Sequence, residues 1–85
     1  MPNQKNTVTV TFNGTDREVP FEPHASVQAL LEHAKKVFSV QSNHLLSLFT
    51  EDGIEITDDQ QSADDAHIVA GALLILRQST VRGGK

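Results

Sequence analysis

The residues with the most suggestive chemistry stand at the end of the chain, Arg82-Gly83-Gly84-Lys85. Two successive glycines carry no Cβ and accept almost any φ and ψ. They could pass through a channel too narrow for a side chain. While Lys85 is attached, the Gly84 carboxyl is held in a peptide bond. Any chemistry at Gly84 would therefore require a cut after it. Little else in the chain carries chemistry. There is no cysteine, which excludes a thiol nucleophile, a thiolate metal site and a disulfide and fits a reducing cytosol. His24, His33, His44 and His67 are scattered without the spacing of a zinc site, so no metal and no cofactor are expected. The Asp58-Asp59 and Asp64-Asp65 pairs lack the ligand pattern of a calcium loop. Ser26 could be read as a nucleophile, but no activating base is evident and helix capping explains it. Gly14 and Gly53 read as turn glycines. No catalytic residue is expected, and the chain does not read as an enzyme.

Eighty-five residues make one domain with a thin core. No apolar run approaches the length of a membrane span, and Met1 to Asn6 lacks the apolar stretch of a signal peptide. A cytoplasmic protein that binds neither membrane nor nucleic acid is expected, the net charge of −4 being the wrong sign for the latter. Seven of the eleven acidic residues lie between Glu51 and Asp65, which reads as a solvated acidic loop.

The elements follow from periodicity. Thr7 to Phe12 alternates strictly, with Val8, Val10 and Phe12 on one side, and Asn13-Gly14 predicts a hairpin turn. Arg17 to Phe21 resumes the alternation, and Pro20 makes this an edge strand. Ser26 predicts a helix N-cap, followed by Val27, Leu30, Leu31, Ala34 and Val37 on one helical face. His44 to Thr50 predicts a third strand. Asp52-Gly53 predicts a turn, Ile54 to Ile56 a short fourth strand, and Ala72 to Leu76 a fifth, with one helical turn around Ser62 to Ala66 between them. Residues 1–6 are expected to be loose, 7–77 to form the domain, and 78–85 to be a flexible tail.

This order of elements, the Leu74-Ile75-Leu76-Arg77 close of the last strand and the terminal Gly83-Gly84 resemble ubiquitin and its relatives over most of the chain, from Thr7 to Gly84. Prokaryotic ubiquitin-like modifiers look closest in character. The resemblance implies an α+β, ubiquitin-like β-grasp with a mixed five-stranded sheet and one helix packed on one face. The chain departs from ubiquitin in a shorter loop after Phe49 and a longer tail. It also has few lysines, namely Lys5, Lys35, Lys36 and Lys85, which puts chain building through many lysines in doubt.

The resemblance further implies a protein modifier. A JAB-type zinc peptidase would cut between Gly84 and Lys85. An activating enzyme would adenylate the Gly84 carboxylate with MgATP. A conjugating enzyme would pass it through a thioester to amines or hydroxyls of target proteins. Arg82 and Arg77 would be read by the activating enzyme, since a guanidinium offers directional donors to a carboxylate. Alignment with ubiquitin from Arg77 backwards turns Leu73 and Ile75, with Leu46 and Leu48 of the third strand, to the face away from the helix. These four would then form an exposed apolar patch for partner binding or self-association. Two other readings share the fold. One is a sulfur carrier of the thiamin or molybdopterin type, with a thiocarboxylate at Gly84; Lys85 weighs against it, because such carriers usually end at the second glycine. The other is a β-grasp binding module that is never conjugated.

Overall fold

The first hairpin forms where both central residues tolerate positive φ. A computed structural model describes residues 6–40 and 46–80. In it β1 (Thr7–Phe12) turns through Asn13 (φ 53°) and Gly14 (φ 83°) into β2 (Thr15–Pro20). The two strands pair from Phe12↔Thr15 to Thr7↔Pro20, the register a two-residue turn imposes. Val8, Val10 and Val19 fall on one face and are buried, while the β1 threonines are half-buried on the other.

Helix α1 (Val27–Val37) begins at Ser26, whose hydroxyl accepts from the Ala29 N–H at 3.1 Å. Two more first-turn donors are met from afar: Val27 N–H donates to Gln61 O and Gln28 N–H to Asp59 O, both at 2.9 Å. The helix ends at Phe38, followed by Ser39 in the left-handed region (φ 54°), and Lys35 and Lys36 in the last turn suit the negative end of the helix dipole. Val27, Leu30, Leu31 and Ala34 are buried.

β3 (Leu46–Thr50) pairs antiparallel with β4 (Leu73–Gln78), and β4 pairs parallel with β1, giving the sheet order β2-β1-β4-β3. Among the described residues the sheet therefore has four strands rather than the five expected. The missing one is Ile54 to Ile56. It runs beside β3 with a single bridge, Phe49↔Glu55, and the bonds Thr50 N to Ile54 O (2.8 Å) and Ile56 N to Leu48 O (2.9 Å). After Ile56 the chain leaves β3, and Asp59 and Gln61 accept from the first turn of α1, so the pairing stops at one bridge; Ile54 remains 64% exposed. β2 is an edge strand, as Pro20 required.

The helix covers one face of the sheet. The core between them includes Val8, Val10, Leu30, Leu31, Ala34, Leu46, Leu48, Leu74 and Leu76. The acidic connection after Ile56 is not a free loop. Ala63 N donates to Ala25 O and Asp64 N to Pro23 O, both 2.9 Å, and Ala63 and Ile68 are buried. One helical turn closes there, Ala66 N to Ser62 O at 3.1 Å, where it was expected. The acidic side chains Asp58, Asp64 and Asp65 still face solvent.

Candidate functional site: the open sheet face and the root of the C-terminal arm

The register of β3 against β4 decides what the open face presents. Leu48 lies opposite Leu76, and Phe49 opposite Ile75. Directly opposed residues of an antiparallel pair share a face, and the face alternates along each strand. Leu74 and Leu76 point to the helix, so Leu46 and Leu48 do too. They are 7% and 1% exposed. The expectation that Leu46 and Leu48 belong to an exposed patch is therefore corrected: both are core. Ser47, between the two leucines, faces away from the helix yet is only 1% exposed, so its polarity did not by itself fix the register. Leu73 and Ile75 do lie on the open face, half-buried, beside Thr9 and Thr11 of β1.

Phe49 was missed as a member of the open face. It is 2% exposed although no helix covers it. The Arg77 guanidinium lies over its ring, 4.3 Å from the centroid. This is a cation–π contact, made with the cation exposed and the ring sheltered. The open face is thus Leu73, Ile75, Phe49 and Arg77, with threonines beside them. Arg77, expected to meet a partner, is exposed and already oriented by the ring beneath it.

Next to this face, Glu55 gathers the end of the described chain. Its carboxylate accepts from the Ser79 hydroxyl, from the Thr80 N–H at 3.0 Å and from the Thr80 hydroxyl at 2.6 Å. The buried Ser47 hydroxyl lies close by without closing a hydrogen bond. Burial pushes the Glu55 carboxyl up. The bonds from Ser79 and Thr80, with Ser47 nearby, outweigh it and bring its pKa from 4.5 down to about 2. A depressed carboxyl pKa stabilises the folded state above the unfolded value and loses that effect as pH falls through the folded one. Wild type is therefore expected to exceed Glu55→Gln in stability at neutral pH by roughly 1–2 kcal/mol, a figure reduced for solvent screening. The gap should close as pH falls from about 4.5 to about 2, read by urea unfolding across that range. A gap independent of pH would show that the carboxylate charge is not what the two residues hold.

The tail was expected to be free from Gln78 onward. Gln78 instead closes β4, and Ser79 and Thr80 are held by Glu55, Ser79 being only 5% exposed. Arg82, Gly83, Gly84 and Lys85, residues 1–5 of the expected loose stretch 1–6, and His44 lie outside the described residues, while Asn6 is tied to the body by the Phe21 N–H at 2.9 Å. Among the described residues no group of three His, Cys, Asp or Glu side chains could hold a metal ion, and no helix is long and apolar enough to cross a membrane.

Similar arrangements recur in solved structures. The ubiquitin-like domain of an Arabidopsis thaliana protein superposes with a TM-score of 0.72 at 19% identity, over 98% of this chain and 86% of that one. The ubiquitin-like domain of EccD5 from Mycobacterium xenopi gives 0.73 at 16% identity, over 91% of this chain and 97% of that one. The fold is ubiquitin-like. A protein designed on the basis of ubiquitin gives 0.73 at 19% identity, over 93% and 94% of the two chains. No family model and no curated protein sequence matches this chain. At these identities the likeness concerns the fold. The ubiquitin-like domain here is built from one helix and a mixed four-stranded sheet. Its open face and arm root are described above from its own residues.

Proposed function

We propose that the chain is a ubiquitin-like protein modifier that reacts at the Gly84 carboxylate. The observation that carries this reading is the Gly83-Gly84 pair placed five residues after β4, a central strand of a ubiquitin-like fold. A chain leaving such a strand can extend about 3.4 Å per residue. The folded body can then dock through its open face while the diglycine reaches a separate active site. Residues without Cβ suit that approach.

In this reading a peptidase removes Lys85. The freed Gly84 carboxylate attacks the α-phosphorus of ATP on an activating enzyme, and pyrophosphate leaves. A cysteine thiolate of the enzyme then displaces AMP to give a thioester. An amine or hydroxyl of the target displaces the thiolate, forming an amide or an ester. The chain contributes no catalytic group; it contributes the acyl group and the surfaces by which partners hold it. Leu73, Ile75 and Arg77 serve as the docking surface, and Arg82 as a charged contact near the reacting end. Such a cycle belongs to the cytoplasm, where MgATP and reduced thiols are available.

The test combines the chain ending at Gly84 with candidate activating enzymes and MgATP, followed by intact-mass measurement. Wild type is expected to form an enzyme thioester and then covalent adducts. Gly84→Ala is expected to reduce both at least tenfold, since the added methyl crowds the channel. Equal behaviour of the two would overturn the reading. Replacement of one oxygen by sulfur at Gly84 would replace it with the sulfur-carrier function. A chain recovered from cells uncut and unattached would replace it with that of a binding module.

A further inference from the structure

Among the described residues the ladder between β3 and β4 runs as far as the pair Leu46↔Gln78. Beyond it, Ser79 and Thr80 are also tied to a distant side chain. Glu55 stands 24 positions from Ser79 and 25 from Thr80 in sequence, yet its carboxylate accepts from both hydroxyls and from the Thr80 N–H. Each of its two oxygens is used: one by Ser79, the other twice by Thr80. Hydrogen bonds to an ionised acceptor are stronger than neutral ones. Glu55 is in turn fixed by its backbone, through the bridge to Phe49 and the neighbouring bonds to Thr50 and Leu48. The tie therefore runs from a tight turn to the root of the C-terminal arm.

We propose that Glu55 is a latch that holds Thr80, and with it the start of the C-terminal segment, to the body. Closed, it keeps Thr80 beside the open sheet face. Open, it releases Thr80 and adds about 3.4 Å of reach. The use of the latch rests on the modifier reading: a partner that draws the diglycine into a narrow channel gains reach by opening it. The existence of the latch rests only on the hydrogen bonds above.

Amide hydrogen exchange, followed by NMR near neutral pH, tests it without any partner enzyme. The amide at position 80 is expected to exchange at least tenfold more slowly than in an unstructured peptide of the same sequence. In Glu55→Ala it should exchange at the unstructured rate. The Thr9 amide, bonded to Ala72 O at 2.9 Å, and the Ile56 amide, bonded to Leu48 O at 2.9 Å, should keep their protection, reporting an intact sheet and turn. Thr80→Val removes one donor at an exposed position and leaves the backbone bond. It should lower protection at position 80 severalfold with the fold untouched, so the proposal stays testable even if Glu55→Ala unfolds. Unstructured exchange at position 80 in wild type, or protection there that neither substitution changes, would overturn the latch. If protection falls as expected but Gly84 is never activated, the latch stands and the modifier reading falls.

Discussion

Leu48→Asp is expected to unfold the domain. Leu48 is 1% exposed and lies opposite Leu76 in a core covered by α1. Replacing it removes about 2–5 kcal/mol of packing and transfer free energy. It also places a carboxyl among apolar side chains, where it must either stay charged without a partner or take up a proton at a cost. The sum reaches roughly 5 kcal/mol or more, against a total stability near the low end of about 4–13 kcal/mol for so short a chain with a thin core. Circular dichroism and urea titration should show a largely unfolded chain at 25 °C. Ile75→Asp makes the same chemical change on the open face, where the side chain is half-buried. It should stay folded and lose no more than about 1.5 kcal/mol. The pair tests the strand register directly. A folded Leu48→Asp beside an unfolded Ile75→Asp would mean that β3 and β4 present the opposite faces.

Phe49→Ala should be the most damaging truncation on the open face. A ring that is 2% exposed with no helix above it lies between the segment bridged to it at Glu55 and the Arg77 guanidinium. Its loss is expected to cost about 3–4 kcal/mol. Arg77→Ala, at an exposed position, should cost less than about 1 kcal/mol, most of it the cation–π contact. Because the two groups touch, the double substitution should fall short of the sum by about 0.5–1 kcal/mol. Urea unfolding of the four proteins gives that coupling. Additive losses would show that the guanidinium and the ring do not interact in solution. A loss under about 1 kcal/mol for Phe49→Ala would show that the ring is open to water. Phe49 contributes more to holding the face together than to contacting a partner, which leaves Leu73, Ile75 and the guanidinium as the accessible surface.

The elements governed by neighbouring residues were legible in the sequence. Asn13-Gly14 and Gly53 mark turns that need positive φ, Ser26 marks a helix start that needs an acceptor, and the step of three and four from Val27 marks the buried helical face. In each, the deciding interaction spans four residues or fewer, so the residue types are sufficient. The edge position of β2 was legible for the same reason, from the missing N–H of Pro20.

What tertiary structure alone decided is where separate segments meet. The register of β3 on β4 buried Leu46 and Leu48 and turned Phe49 outward; a shift of one residue exchanges the two faces, and only contacts across the sheet set it. Ile54 to Ile56 has the residue types of a strand, but the chain then leaves β3 for the first turn of α1, so only one bridge forms. The tie from Glu55 to Ser79 and Thr80 spans more than twenty residues, and none of the three has a local pattern that announces it. Sequence by itself determined the first hairpin, the helix and the Gly83-Gly84 pair, because backbone conformation and side-chain type are local properties. Pairing across distance is not local, and it settled which side chains the open face presents and how the root of the arm is held.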